Sequence, residues 1–181
     1  MAQQFEKINQ SHKEFIEKQK IFFTATAGTD GRINLSPKGL DSFRVINETT
    51  IIWLNLTGSG NETMGHIQEN NRMTIMFCSF DEKPLILRLY GKAKIHFAGS
   101  ENFNKFSAEF ADLPGKRQIY EMKVEMVQTS CGWAVPHYNF VKERQTLNEW
   151  SGKKDPSEIK EYWEERNNTS IDGKNIEMPI L

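Results

Sequence analysis

Two short stretches hold the residues best suited to chemistry: Ile33, Asn34, Leu35, Ser36, Pro37, Lys38 and Gly39, then Leu56, Thr57, Gly58, Ser59, Gly60, Asn61, Glu62 and Thr63. They flank a strand-forming run. Glycines let backbone N–H groups converge on an anion, the hydroxyls of Ser36, Thr57, Ser59 and Thr63 add donors, and Lys38 supplies the opposing charge. Either stretch alone reads as an ordinary polar turn. Together, at the two ends of that strand-forming run, they point to a site for the phosphate of a cofactor. Pro37 stiffens the backbone before Lys38 and limits the directions of its ammonium. A solvated surface lysine is the plain alternative.

Arg44 and Arg88 sit in largely apolar segments, where a guanidinium is costly unless it meets an anion or a carboxylate. Each is a candidate contact to a bound group. A salt bridge with Asp41 or another acid, or a place on the outer face, is the alternative. Trp133 lies between small neighbours that would leave an indole face free to stack on a flat ring, and a core tryptophan is the other reading. Cys78 and Cys131 have no Cys-x-x-Cys spacing, so two reduced thiols are expected. The four histidines, His12, His66, His96 and His137, are widely separated and do not form a metal-ligand pattern. No phosphate-binding Walker loop, nucleophile elbow or Gly-x-Gly-x-x-Gly follows a strand. Any chemistry would then be carried by a cofactor.

These residues need a frame. The pattern predicts a helix over 11–19, with Ser11 as N-cap and Glu14 as its capping-box partner. A β-hairpin over 21–36 turns at 28–31, and the Ser-Pro-Lys-Gly segment is read as a second turn. A short edge strand over 42–46 and a buried, nearly continuous apolar strand over 50–54 follow. Then come a short helix over 62–69, strands over 72–78, 85–90 and 92–97 broken at Gly91, a helix over 101–111, a last strand over 119–127 and a charged helical tail from about 141. Several strands with few long helices imply a mainly β protein, a barrel or sandwich with flanking helices.

A chain of 181 residues suits one domain, 1–181, with a single substantial core. Its formal net charge of -1, with acids and bases interspersed, excludes the basic stripe that would attract nucleic acid or an anionic membrane. No apolar run is long enough to span a bilayer, and the N-terminus lacks a signal peptide's apolar centre, so a cytoplasmic protein is expected.

The order strand, turn, strand, Ser-Pro-Lys-Gly, strand, Thr-Gly-Ser-Gly-Asn-Glu-Thr, short helix, strand resembles the pyridoxamine 5′-phosphate oxidase-like flavoproteins over residues 12–140. The stretches 33–39, 56–63 and Ser130-Cys131-Gly132-Trp133-Ala134-Val135-Pro136 look like a bacterial and fungal branch of that family. The resemblance implies an FMN-binding split barrel that forms a homodimer, with each flavin held at the subunit interface. It implies an oxidoreductase acting on a small molecule, with NAD(P)H as a reductant. A flavin- or haem-binding protein without catalysis, and a structural dimer lacking a cofactor, are the alternatives. The cofactor-binding set it suggests is Ser36, Lys38, Gly39, Arg44, Thr57, Gly58, Ser59, Asn61, Glu62, Thr63, Arg88 and Trp133. Glu62 is expected to turn from the phosphate, capping its helix or accepting a bond from a ribityl hydroxyl. FMN is favoured over FAD because the two turns offer one compact anion site.

The sequence departs from the namesake enzyme twice. An Arg-Lys pair that grips the phosphate there is replaced by Gly60, Asn61 and Glu62. The closing arginine and histidine that hold the pyridoxal substrate are lacking in 170–181. Pyridoxamine phosphate is therefore not the expected substrate. A two-fold mate is expected to cover apolar residues such as Ile75, Phe77, Leu87 and Leu89.

Overall fold

The computed structural model describes residues 2–179. Among these residues lie eight strands and five helices: β1 Gln3–Phe5, α1 Gln10–Lys18, β2 Phe22–Thr26, β3 Asn34–Lys38, β4 Phe43–Asn47, β5 Thr50–Leu56, α2 Glu62–Asn70, β6 Arg72–Cys78, β7 Ile86–Phe97, α3 Glu101–Ser107, β8 Lys116–Ser130, α4 Thr146–Gly152 and α5 Pro156–Arg166. All pairings are antiparallel, in the order β3-β2-β6-β7-β8-β5-β4, with β1 also on β8. The first half of β8 pairs with β5, its last residues pair with β1, and β7 runs along its other side.

The sheet closes on itself through aromatic rings. Phe43 of β4 packs against Phe22 of β2 at 5.1 Å and Phe77 of β6 at 5.0 Å, although β4 lies at the far end of the strand order. β3 is left as an edge. This is a split barrel. Its interior is filled by Ile51, Trp53, Ile75, Phe77, Leu87, Leu89, Tyr120 and Met122. A second cluster lies on the opposite face of β5 and β8, where α3 lays Phe103 and Phe106 on Ile52, Leu54 and Ile119. β5 is buried on both faces, which explains its continuous apolar run.

Several boundaries differ from those the pattern predicts. α1 is capped by Asn9, whose side chain accepts from the His12 N–H at 2.9 Å, and the box partner is His12 rather than Glu14. The Ser-Pro-Lys segment is strand, not turn. A proline fits there because β3 is an edge that can spare one N–H. The reversal comes at 39–42, where Leu40 and Asp41 adopt φ of 60° and 52°. The two strands expected around Gly91 are one strand with a bulge, and a Cβ at Gly91 would lie 1.9 Å from the Lys123 carbonyl. α3 is shorter than expected and β8 longer, while β1 went unforeseen. The tail turns helical only at Thr146.

Ile75, Phe77, Leu87 and Leu89 do not form a surface for a mate. All four are buried inside this chain's own barrel, because alternation turns them inward and leaves Thr74, Met76, Arg88 and Tyr90 on the outer side. Among the described residues no helix is long and apolar enough to cross a membrane.

Candidate functional site

Antiparallel partners share a face, so the register Phe22↔Lys38, Thr24↔Ser36 and Thr26↔Asn34 turns Lys38, Ser36 and Asn34 toward the interior with their buried partners. Ile33 and Leu35, 76% and 65% exposed, face away. The inward stripe is polar throughout. Asn34 Nδ2 donates to Thr63 Oγ1 at 3.1 Å, and Ser36 Oγ donates to Asn34 Oδ1 at 3.1 Å. This joins the two stretches that the sequence singles out.

Lys38 extends its ammonium over the Trp53 ring, 5.2 Å from the centroid, and Trp53 stacks on Tyr120 at 4.7 Å. Among the described residues it has no carboxylate partner. Burial lowers its pKa to about 8, and the charge of Arg117 adds to the shift. Burial likewise pushes the Tyr120 hydroxyl up, and it stays neutral.

The 57–63 loop packs against the polar end of the barrel. Thr57 is buried, donates to the Gly115 carbonyl at 2.9 Å and accepts from Trp163 Nε1 at 2.9 Å, so its hydroxyl is engaged within the fold. Gly58 and Gly60 present carbonyls to Asn167 and Arg117. Ser59 is exposed and meets no partner among the described residues. Asn61 accepts from Gln118 Nε2 at 2.8 Å and holds Met64 and Met178 through its own amide. Glu62 occupies the first turn of α2, and Oε1 accepts from the Ile171 N–H at 3.0 Å. Its buried Oε2 has no partner.

Arg117 is the residue that sequence reasoning missed. The register passes from Asn55↔Gln118 to Leu56↔Lys116, so Arg117 is the extra residue of a bulge that re-aims its side chain. It is buried and donates to Asn167 Oδ1 and to the Gly60 carbonyl at 3.1 Å. Its Nε has no partner among the described residues. Burial depresses its pKa to about 10, which leaves it charged at neutral pH. An arginine two residues before the expected start of the last strand was the available signal.

Other candidates lie apart from this cluster. Arg44 takes the alternative weighed for it: two bonds of 2.8 Å to the Asp41 carboxylate, with its plane over Phe110. Arg88 is half-buried on the outer face and donates to Ser130 Oγ at 3.3 Å. Trp133 is no core residue, being 82% exposed in the irregular 131–145 segment. A cleft of about 1020 Å³ beside Lys38 and Gly39 is walled by Phe80, Tyr138, Phe140 and Lys142. His12, His66 and His96 are each hydrogen-bonded, and both cysteines are free. Among the described residues no cluster of His, Cys, Asp or Glu could hold a metal ion.

The donors at this end suit an anion. Lys38 and Arg117 are cations without a carboxylate between them, and Arg117 Nε is a buried donor left open. An antiparallel split barrel of this strand order defines a class of small β-barrel proteins. The stretch 8–131 matches the family model described as pyridoxamine 5′-phosphate oxidase, and the chain belongs to that family. It is 33% identical over 147 residues to the pyridoxamine 5′-phosphate oxidase family protein ustO of Aspergillus flavus, covering 78% of this chain and 59% of that protein. The chain thus spans well under two thirds of that relative. The H111A form of HupZ from Group A Streptococcus superposes with a TM-score of 0.56 at 25% identity, over 68% of this chain and 99% of that one. An FMN-binding protein from Syntrophomonas wolfei superposes with a TM-score of 0.50 at 15% identity, over 64% and 82%.

Proposed function

We propose that this protein binds FMN, with the phosphate at the polar end of the barrel, and that it is an oxidoreductase for a small molecule. The observation that carries this reading is the inward stripe Asn34, Ser36 and Lys38, tied to the 57–63 loop through Thr63 and ending in a half-buried ammonium that has no counter-ion among the described residues. Family membership and the FMN-binding neighbour support it. Bound flavin supplies hydride chemistry, while the chain binds, orients and shields. The β3 stripe would position the phosphate and ribityl chain, and the cleft walled by Tyr138 and Phe140 would admit the substrate. We place the flavin at a homodimer interface. The exposed Ile33, Leu35 and Trp133 are surfaces a second copy could cover.

Absorption spectra of freshly purified protein test the reading. Flavin bands that bleach with NADPH and recover in air are expected. A Soret band would replace flavin with haem, bands that never bleach would leave a binding protein, and no bands after incubation with FMN would refute the cofactor. Light scattering that gave a monomer with stoichiometric FMN would refute the shared site.

A further inference from the structure

The namesake's Arg-Lys pair is missing from the 57–63 loop, yet the barrel end is not short of charge. Arg117 approaches the same loop from β8, and 146–179, which lies beyond the matched stretch 8–131, holds it there. Asn167 of that segment is fully buried and uses both ends of its amide: Oδ1 accepts from Arg117 Nη1, and Nδ2 donates to the Gly58 carbonyl at 3.2 Å. Trp163, one helical turn earlier, anchors on Thr57. A guanidinium normally leaves water for a carboxylate or phosphate. Arg117 meets only an amide and a peptide carbonyl, keeps Nε unpartnered, and acts on Lys38 through its charge.

We propose that Arg117, positioned by Asn167, is the second cation of a phosphate-monoester site shared with Lys38, so that the C-terminal segment completes the site. The proposal rests on the flavin-phosphate reading for its natural ligand. Its chemistry requires only a phosphate. Uniform binding of a flavin ring would not need Arg117, whereas a phosphate would.

The test compares FMN with riboflavin by fluorescence quenching, and adds inorganic phosphate as a probe in thermal unfolding of the apoprotein. Wild type should favour FMN, and phosphate should raise its midpoint. Arg117→Met should cut FMN affinity on the order of tenfold to a hundredfold with little effect on riboflavin, and Arg117→Lys should restore part of it. If Arg117→Met does not fold, Asn167→Asp decides the matter. It gives Arg117 an internal carboxylate while removing the amide donor to the Gly58 carbonyl, so FMN affinity should fall and the response to phosphate should disappear whatever the net change in stability. A purely structural Arg117 would move stability and leave the FMN to riboflavin ratio untouched. That result in either folded variant overturns the proposal. If wild type binds no flavin but answers to phosphate through Arg117, only the flavin reading fails. If it answers to neither, both fail.

Discussion

The lower part of the barrel and its polar end are built from the same strands and differ in how completely their groups are satisfied. Below, Ile51, Ile75, Leu87, Leu89 and Met122 are buried among apolar neighbours. Above, beyond the Trp53–Tyr120 pair on β5 and β8, Asn55 and Gln118 replace them, and Lys38 and Arg117 enter. Among the described residues, Gln118 Oε1 and Arg117 Nε are both buried there without partners. Each such group costs about 1–3 kcal/mol if left unpaired. The lower half stabilises the fold, and the upper half spends part of that stability on open hydrogen-bonding capacity.

Substitutions in the two halves should therefore act oppositely. Leu89→Ala in the lower half removes a fully buried side chain and should lower unfolding free energy by ~2–5 kcal/mol in urea titration, with ligand affinity in the surviving fold little altered. Lys38→Met in the upper half should cost FMN binding about 1.5–3 kcal/mol while leaving the apoprotein as stable or more so, because an unpaired cation is removed. His66→Ala sharpens the contrast. It breaks a buried 3.0 Å contact with Thr26, so it should cost stability and less FMN affinity than Lys38→Met.

A pH titration separates the halves without mutation. The Lys38 pKa, about 8 in the folded chain, lies below its unfolded value, so the unfolded state holds more protons between about 8 and 10 and apoprotein stability rises with pH across that window. Bound phosphate favours the charged lysine. FMN affinity should then fall above about pH 8, by at most tenfold per pH unit, while riboflavin affinity stays flat; parallel curves would remove Lys38 from the phosphate. The smallest effect belongs to the surface clasp, where Lys174 meets Asp30 and Glu69. Lys174→Ala should shift the unfolding midpoint least of these substitutions, and the shift should shrink in high salt.

The lower half was legible in the sequence and much of the upper half was not. Period-two alternation over 72–78 and the apolar run over 50–54 are strong local signals; the first element has the expected bounds and the second runs two residues further, to Leu56. The alternation also carried the answer on Ile75 and Phe77, whose inward side it specifies. The loop after β5 stands out in the sequence because Gly58, Gly60 and Asn61 are weak strand formers, and Lys38 because it lies between Pro37 and Gly39. Arg117 was hidden by a bulge, which no periodicity marks, and by a partner 50 residues away. Pro37 read as a turn because its place at a sheet edge depends on strand order.

β8 has a consequence for how the chain is made. It is the strand on which β1, β5 and β7 all converge, and it ends at Ser130. A ribosome working from the N-terminus releases Ile51, Trp53, Ile75, Phe77, Leu87 and Leu89 before the strand that seals them in. At cellular elongation rates the wait from the first residue to the last of β8 is on the order of ten seconds. Throughout that interval the emerging strands expose open edges and apolar side chains with no interior to enter, so a holding chaperone should associate with the nascent chain until β8 clears the exit tunnel.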